Sequence, residues 1–225
     1  MMSLAEAKDA SSIRLFQLPI ARGIVAQLVQ AVVFLHSEGI AHGDLHAGNI
    51  LIRLPESIDT LSKEQLYERE SFTPLSSKRH YSNVLDTLVP PEAHFESETP
   101  LSFPSDIWTL ACTIWTIIAQ QPLFEGFNPS ADWWDSRARW FNKNSTRHSG
   151  ATARPLVQRF HDAVQKPRRK FDMSEIGQEE KTAWFAILHT ILAFRPEERL
   201  TAVQVMGCEW MQKWALPELA RMKIQ

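Results

Sequence analysis

The stretch DIWTLACTIWTIIA, residues 106 to 119, constrains the fold more than any other part of the chain. Wound as an α-helix it is apolar almost all round, so no face of it suits water. The apolar run from Ile107 to Ala119 is also too short to span a bilayer as a helix. The stretch therefore predicts a helix buried at the centre of a mainly helical domain.

Further helices are predicted on both sides of this segment. A wide apolar face predicts a helix over Ile20 to His36, with Pro19 in its first turn and Gly39 at its stop. Its apolar stripe consists of Ile20, Ile24, Leu28 and Val32, reinforced by Val25, Val29 and Val33. Two amphipathic helices are predicted near the C-terminus, over Lys181 to Phe194 and over Thr201 to Trp210, separated by the turn RPEER.

Little strand is predicted. Asn49 to Leu54 reads as one short buried strand that Pro55 ends. The polar stretch that follows contains Ser62 and Gln65 at capping-box spacing, which predicts a short helix, and then an irregular loop. We expect a single domain over 1–225, with a functional loop at 40–52, an irregular segment at 55–95 and a helical remainder at 103–217.

Composition indicates an ordinary globular protein. The chain has 225 residues, 44% hydrophobic and 22% charged, and a net charge of −2, so no global field favours nucleic acid or an anionic membrane surface. The N-terminus lacks the features of a secretory signal, and Cys112 and Cys208 suggest reduced thiols. We expect an intracellular protein of the cytoplasm or nucleus, monomeric, with no nucleic-acid or membrane partner.

The sequence HGDLHAGNILI, residues 42 to 52, contains the candidate catalytic residues. Phosphoryl transfer needs a positioned acceptor hydroxyl and neutralised phosphate charge. Asp44 can orient and deprotonate a hydroxyl, and Asn49 can offer its carbonyl oxygen to Mg²⁺, which prefers oxygen ligands. The alternative is turn chemistry, in which both short polar side chains bond the backbone beside Gly43 and Gly48.

Further motifs follow in order: VPPEA at 89 to 93, SDIWTLACTIW with Asp106 near its start, and FRPEERLTAVQVMGCEWM with Arg199. Together with HGDLHAGNIL they resemble the eukaryotic protein kinases over about residues 12 to 217. His42, Asp44 and Asn49 match the catalytic HRD…N motif of that family, and Pro91 with Glu92 resembles its A-P-E signature. Sequence segments such as FLHSEGIAHGDLHAGNILIRLP look most like those of a fungal branch of the family near the serine/arginine-rich protein kinases.

The resemblance implies a mainly α fold, the C-terminal lobe of a protein kinase with a minor β-strand element and the N-terminal lobe absent. It implies Asp44 as the catalytic base, Asn49 as the ligand of a metal that holds the cofactor, and Asp106 as the buried anchor of the loop. His42 belongs to the structural frame of the loop, and Arg199 would pair with Glu92. ATP and Mg²⁺ would be the cofactors and a protein the substrate.

The chain also departs from the family pattern. Gly43 replaces the arginine of HRD, and His46 stands where serine/threonine kinases usually have a lysine, so phosphate neutralisation there would be weaker and sensitive to pH. No glycine lies between Gly48 and Gly126, so the D-F-G motif is missing from its usual place. Asp59 and Asp86 are no better than ordinary polar residues as substitutes.

The nucleotide-clamping parts are also missing from these residues. No glycine-rich loop, no V-A-I-K-like strand and no partner glutamate precede Ala5. One lost electrostatic stabiliser costs about 3 kcal/mol, or about two decades in rate. Two lost stabilisers predict turnover lower by roughly four decades, so we expect this chain alone to be inactive and its binding of ATP to be doubtful.

Three functional hypotheses follow. The first is a shortened serine/threonine-protein-kinase-like phosphotransferase, and the second is a non-catalytic kinase-like binding module. The third is a small-molecule phosphotransferase, because the aminoglycoside and choline kinase relatives also carry HGDLHxGN. The motifs PPEA, SDIW and RPEERLTA disfavour the third, since those relatives lack them.

Other patterns favour ordinary structural roles. Trp133, Trp134 and Trp140 would form a docking surface or, more simply, pack against the long helix. PRRK, at 167 to 170, would be an acidic-substrate or import site or, more simply, a solvated basic turn. No structural metal is expected, because these histidines lack ligand spacing: His36, His94, His148, His161 and His189.

Overall fold

In the part of the chain that the structure describes, the fold is mainly helical with one small sheet. The computed structural model describes residues 2–53, 88–95, 101–124 and 155–222. In chain order the elements are β1 (Met2–Ser3), α1 (Leu4–Ala10), α2 (Leu18–Ser37), β2 (Leu51–Ile52), α3 (Pro91–Phe95), α4 (Phe103–Ile118), α5 (Leu156–Phe160), α6 (Lys166–Lys170), α7 (Gln178–Ile191), α8 (Ala202–Gly207) and α9 (Leu216–Met222). Two π-helical segments, His161–Gln165 and Met211–Ala215, lead into α6 and α9, and a 3₁₀ turn, Pro196–Glu198, precedes α8.

Helix α4 is the predicted central helix, and its burial is confirmed. It begins earlier than the apolar run, because Ser102 and Ser105 form a capping box at its N-terminus. Its apolar side chains pack inside the helical assembly, and the ring of Trp115 stacks on Trp184 of α7 with a centroid distance of 5.3 Å. The element that carries Asp106 is therefore held on all sides by the core.

Helix α2 contains the predicted Ile20 to His36 helix, and most of its predicted apolar face is buried, with Ile20 as the exception. Ile20 is exposed, because the face that meets the core is turned toward the positions of Val25 and Val29. The buried residues of α2 are Leu18, Ala21, Gly23, Val25, Ala26, Leu28, Val29 and Val32. Gly39 follows the helix with φ +74°, which fits its predicted role as a stop.

By length and composition, α2 is also apolar enough to cross a membrane. In the fold, α2 packs against α4, α8 and α9. Its apolarity on that side is explained by core packing.

The strand prediction was wrong in extent and burial. Within the described part of this range, residues 49–53, only Leu51–Ile52 forms a strand, and it pairs antiparallel with Met2–Ser3, with Met2 opposite Ile52 and Ser3 opposite Leu51. The side chain of Leu51 is exposed, and the sheet has only these two strands in the described residues. The sheet fastens the N-terminal segment to the end of the 40–52 loop.

The C-terminal helices are shifted from their predicted bounds. Helix α7 begins and ends earlier than Lys181 to Phe194, because Gly177 is its N-cap and the segment after Ile191 turns toward Arg199. Helix α8 is shorter than predicted, with Thr201 and Gln204 forming its capping box. The π-helical segment that begins at Met211 follows it.

The interpretation of PRRK as a solvated turn was wrong in part, since Arg169 and Lys170 are exposed but the segment is helical. It lies in α6, where Pro167 and Arg168 are buried. Arg168 donates to the carbonyl oxygens of Phe16 and Ile118, so it closes the C-terminal end of α4. An import signal or an acidic-substrate site cannot use a guanidinium enclosed in this way.

Several predictions fall outside the described residues. These are the helix that begins at Ser62, the irregular loop after it, and the placement of Asp59, Asp86, His148, Trp133, Trp134 and Trp140.

Candidate functional site

The loop at 40–52 is anchored from below by Asp106, in the first turn of α4. Asp106 is 1% exposed, and its two carboxylate oxygens accept the backbone N–H groups of His42, at 2.7 Å, and Gly43, at 2.8 Å. The side chain of His36 makes a third contact to the same carboxylate, Nε2 to Oδ2, at 3.0 Å. Burying a carboxylate costs little free energy only when it is hydrogen-bonded in this way. The loop therefore stabilises the buried Asp106, and Asp106 holds the loop in place.

The glycine at position 43 is a structural requirement of this loop. Gly43 has φ +74°, a conformation that L-residues with side chains adopt only with strain. After it, His42 Nδ1 accepts the N–H of Asp44 at 3.2 Å, so His42 helps to shape the turn, as its predicted structural role requires. The departure at position 43 therefore has a local physical basis.

Asp44 and Asn49 are brought together at the tip of the loop. The Asn49 amide Nδ2 donates to Asp44 Oδ2 at 2.8 Å and to the Asp44 backbone carbonyl at 2.9 Å. The Asp44 side chain is 70% exposed, so its carboxylate can be reached from solvent. Because the amide nitrogen is turned toward Asp44, the carbonyl oxygen of Asn49 is left for a ligand.

The bend between these two residues is braced on its inner side. Leu45 is buried, and its carbonyl accepts the hydroxyl of Thr113, in α4, at 3.2 Å. A turn of the backbone is closed by the N–H of Asn49, which donates to the carbonyl of His46 at 2.9 Å. The central helix therefore supports the loop both at its start and in its middle.

His46 lies beside Asp44. Its Nε2 is 3.6 Å from Asp44 Oδ1, and its Nδ1 accepts the N–H of Gly48 at 3.0 Å. The structure therefore groups Asp44, His46 and Asn49, which are the residues that the sequence predicted for catalysis and for holding the cofactor.

The described residues can supply a magnesium ion with only part of its ligands. Asp44 offers a carboxylate and Asn49 an amide oxygen, and no cluster of three or more His, Cys, Asp or Glu side chains suits a metal in the described ranges. Mg²⁺ commonly uses one or two protein ligands together with waters and substrate phosphates. The donor set therefore fits an ion that arrives with a nucleotide, and it does not fit a resident structural metal.

Arg199 and Glu92 form the second cluster, away from the loop. Arg199 Nη1 and Nη2 donate to the two Glu92 oxygens at 2.8 and 2.7 Å. The other three N–H groups of Arg199 donate to the carbonyls of Ala193, Pro104 and Phe194, so all five donors of the guanidinium are used. This pair joins α3 to the turn before α8.

Two further contacts complete this cluster. The Ser105 hydroxyl donates to Glu92 Oε1 at 2.9 Å, and the Arg199 guanidinium lies 5.2 Å from the ring centroid of Trp108. Burial acts to raise the pKa of Glu92, but the hydrogen bonds and the charge of Arg199 together outweigh it and lower that pKa.

A cavity of about 350 Å³ lies beside the loop, between α1 and the end of α4. His46 and Gly48 line it on one side and Lys8 on the other. Lys8 is buried and donates to the carbonyls of Thr116 and Ala119, at the C-terminal end of α4. Burial, followed by the nearby charge of Arg14, lowers the pKa of Lys8 to about 7.

The thiols take no part in the site. Burial raises the pKa of Cys112 to about 12, so its thiolate is not formed at neutral pH. Cys208 also has a raised pKa, mainly through burial. Both are free in the structure, in agreement with the expected reduced state.

Sequence reasoning missed three contributors. His36 was considered only as a metal ligand, although its place at the end of an apolar helix could have indicated a partner in the core. Lys8 gave no signal, but SLAE, from Ser3 to Glu6, has capping-box spacing and would have revealed α1. Leu51, with 57% exposure, was assigned to a buried strand and instead offers an apolar surface two residues after Asn49.

Comparison with protein families gives a direct match. The family model described as protein kinase domain matches residues 2–211. Among curated proteins, the chain is 24% identical over 204 residues to cyclin-dependent kinase 12 of Caenorhabditis elegans, which covers 83% of this chain and 25% of that protein. It is 31% identical over 105 residues to serine/threonine-protein kinase PLK4 of Nematostella vectensis, which covers 46% of this chain and 10% of that protein.

Solved structures show the same fold. A crystal structure of the Rad53 kinase domain and SCD2 in complex with AMPPNP aligns with a TM-score of 0.53 and 18% identity. The alignment covers 100% of this chain and 75% of that chain. The chain thus spans most of a solved kinase-domain chain, but only 10% and 25% of the two curated relatives.

Proposed function

Because the chain belongs to the protein kinase domain family, we propose that it is a serine/threonine-protein-kinase-like domain whose catalytic loop holds the phosphates of ATP with Mg²⁺. The observation that carries this proposal is the contact between Asp44 and Asn49 on a loop fixed by the buried Asp106. Turn chemistry alone would not require an exposed carboxylate at this point, nor an anchor in the central helix.

The residues of the loop would have separate roles in phosphoryl transfer. Asp44 would accept the proton of an acceptor hydroxyl, since its carboxylate is exposed and held in one orientation by Asn49. The carbonyl oxygen of Asn49 would hold the ion that accompanies the nucleotide. Bound Mg²⁺ would neutralise charge on the phosphates. The exposed apolar side chain of Leu51 would lie against the base of the nucleotide.

We further propose that this chain alone does not catalyse phosphoryl transfer at a substantial rate. The segment between Asn49 and Pro91 has no D-F-G in its sequence, and the 225 residues contain no recognisable glycine-rich loop or clamping lysine. Without these groups binding of the nucleotide would be weak, and transfer would be slower by roughly four decades. In this proposal the chain corresponds to the C-terminal lobe of the kinase fold and resembles the fungal branch near the serine/arginine-rich kinases.

The partner would be a protein, and the domain would act as an intracellular monomer without a nucleic-acid or membrane partner. The net charge of −2 supports the expectation of no nucleic-acid partner, and the packing of α2 against α4, α8 and α9 supports that of no membrane partner. A second candidate, a non-catalytic binding module, is favoured by the missing D-F-G.

A titration of ATP, with and without Mg²⁺, separates these functions. Weak binding that requires Mg²⁺ and is lost in Asn49→Ala supports the kinase-like site. Asp172→Asn is a suitable control, because it removes one exposed carboxylate that does not belong to the 40–52 loop. No binding in any condition would leave the binding module as the function. Efficient transfer to a small alcohol would favour the small-molecule phosphotransferase instead.

A further inference from the structure

Residues 46 and 48 are fitted to one another in this loop. The imidazole of His46 folds back over Gly48, whose N–H donates to His46 Nδ1 at 3.0 Å. A Cβ atom at Gly48 would lie 2.7 Å from Cε1 and 2.9 Å from Nδ1 of that ring. Only glycine leaves room for the ring in this position.

The backbone itself does not require glycine here. The turn is closed by the hydrogen bond from the N–H of Asn49 to the carbonyl of His46, which any residue at position 48 would permit. Gly48 is not in the left-handed region, in contrast to Gly43 and Gly39. The missing side chain at position 48 is therefore explained by the ring of His46 and not by the course of the chain.

The contact fixes which ring nitrogen carries the proton. A neutral imidazole has one donor nitrogen and one acceptor nitrogen. Because Nδ1 accepts the N–H of Gly48, the proton of the neutral ring lies on Nε2. Nε2 lies 3.6 Å from Asp44 Oδ1, so the donor nitrogen is beside that carboxylate but not hydrogen-bonded to it.

We propose that Gly48 is a positioning residue that holds the His46 ring with its Nε2–H beside the Asp44 carboxylate, where it would contact the transferred phosphoryl group. This part of the proposal rests on the proposed function, while the fixed tautomer does not. The donor stands where the family usually has a lysine. A directed N–H thus takes the place of a flexible ammonium group.

The tautomer can be measured without any nucleotide. The full chain is labelled with ¹⁵N-histidine and its imidazole signals are recorded near pH ~8, where an ordinary imidazole is neutral. The signals of His46, one of 8 histidines, are assigned by their loss in His46→Gln. We expect a single Nε2–H tautomer, and a mixture of both tautomers or an Nδ1–H form in the wild type would overturn the proposal.

Variants test the role of the glycine. Gly48→Ala should release the ring and give the mixed tautomers of a solvated histidine, whereas Gly177→Ala, with no atom near its added Cβ, should leave the signals of His46 unchanged. If Gly48→Ala retained the single tautomer, the steric part of the proposal would be wrong. The wild-type measurement still decides the tautomer if this variant does not fold.

The last experiment is a titration of the full chain with ATP and Mg²⁺. Gly48→Ala and His46→Ala should each weaken binding by about tenfold, and the double variant should bind no more weakly than either single variant. His46→Gln, which keeps an N–H donor, should retain most of the affinity. Additive losses, or an unaffected Gly48→Ala, would contradict the coupling. Absence of binding in the wild type would contradict the proposed function, and the imidazole signals would still test the tautomer.

Discussion

The carboxylate of Asp106 accepts the backbone N–H of Gly43 at 2.8 Å, from a position that is almost fully enclosed by the core. The same carboxylate accepts the N–H of His42 and contacts His36. Through these bonds the first turn of the central helix sets the course of the loop that presents Asp44. The start of the loop is therefore tied to the core.

The first prediction concerns this anchor. Asp106→Asn replaces one of two accepting oxygens by an amide nitrogen, so at least one of the loop N–H groups loses its acceptor. We expect the free energy of local opening to fall by about 1–3 kcal/mol, seen as faster hydrogen exchange of the His42 and Gly43 amides. Asp172→Asn should leave these amides unchanged. Equal protection of both amides in Asp106→Asn would show that the carboxylate does not hold the loop.

The second prediction concerns the pair of Glu92 and Arg199. Arg199→Ala strands a partly buried carboxylate, so we expect a loss of about 3–5 kcal/mol in stability. In a chain of this size the melting temperature should fall by roughly 10 °C, as measured by thermal unfolding.

Arg195→Ala is the matched control for that experiment. Arg195 is exposed and lies 3.9 Å from the equally exposed Glu197, so its removal should change the melting temperature little. An unchanged transition in Arg199→Ala would count against the assignment of this part of the chain to a kinase lobe.

Features that a local pattern of residues determines could be predicted from the sequence. The burial of α4 followed from its lack of any polar face, and the grouping of Asp44 with Asn49 followed from their spacing. The face of α2 was wrong at Ile20, because a helix that is apolar around most of its surface does not reveal which side meets the core.

Other features depend on long-range contacts that no local pattern contains. Lys8 and Arg168 end at the carbonyls of α4 although they lie far apart in sequence. The strand at Leu51 pairs with the N-terminal segment across the loop, so its partner could not be read from its own composition.

The third prediction concerns pH and Lys8. Its pKa in the folded chain is about 7, below the value near 10.4 of an unfolded lysine. Between these values the unfolded chain binds a proton that the folded chain does not bind, so stability rises as pH increases through this range. Below pH ~7 both states are protonated, and the full cost of burying the charge is present.

Urea unfolding at several pH values measures this effect. The free energy of unfolding should rise by up to about 1 kcal/mol per pH unit in the wild type relative to Lys8→Met. Lys166→Met, at an exposed lysine, should retain the wild-type slope. If Lys8→Met and the wild type had equal slopes, the lysine would not be buried as a cation beside the end of α4.

The fourth prediction concerns Gly43. Gly43→Arg, which restores the usual family residue, places a side chain at φ +74° and should destabilise the chain by about 1–2 kcal/mol. Gly207→Ala, at an open position in a helix, should be neutral or stabilising. Thermal unfolding of both variants makes the comparison. A fully stable Gly43→Arg would mean that the loop can adopt another course.

The most direct test of the account is a titration of ATP followed through the backbone amide signals of the 40–52 loop, with Mg²⁺ and without it. The account predicts weak binding that appears only with Mg²⁺, shifts the signals of Asp44 and Asn49, and disappears in Asn49→Ala, with no phosphoryl transfer above background. Binding that ignores Mg²⁺ or Asn49, or transfer at the ~1–100 s⁻¹ of complete protein kinases, would contradict it.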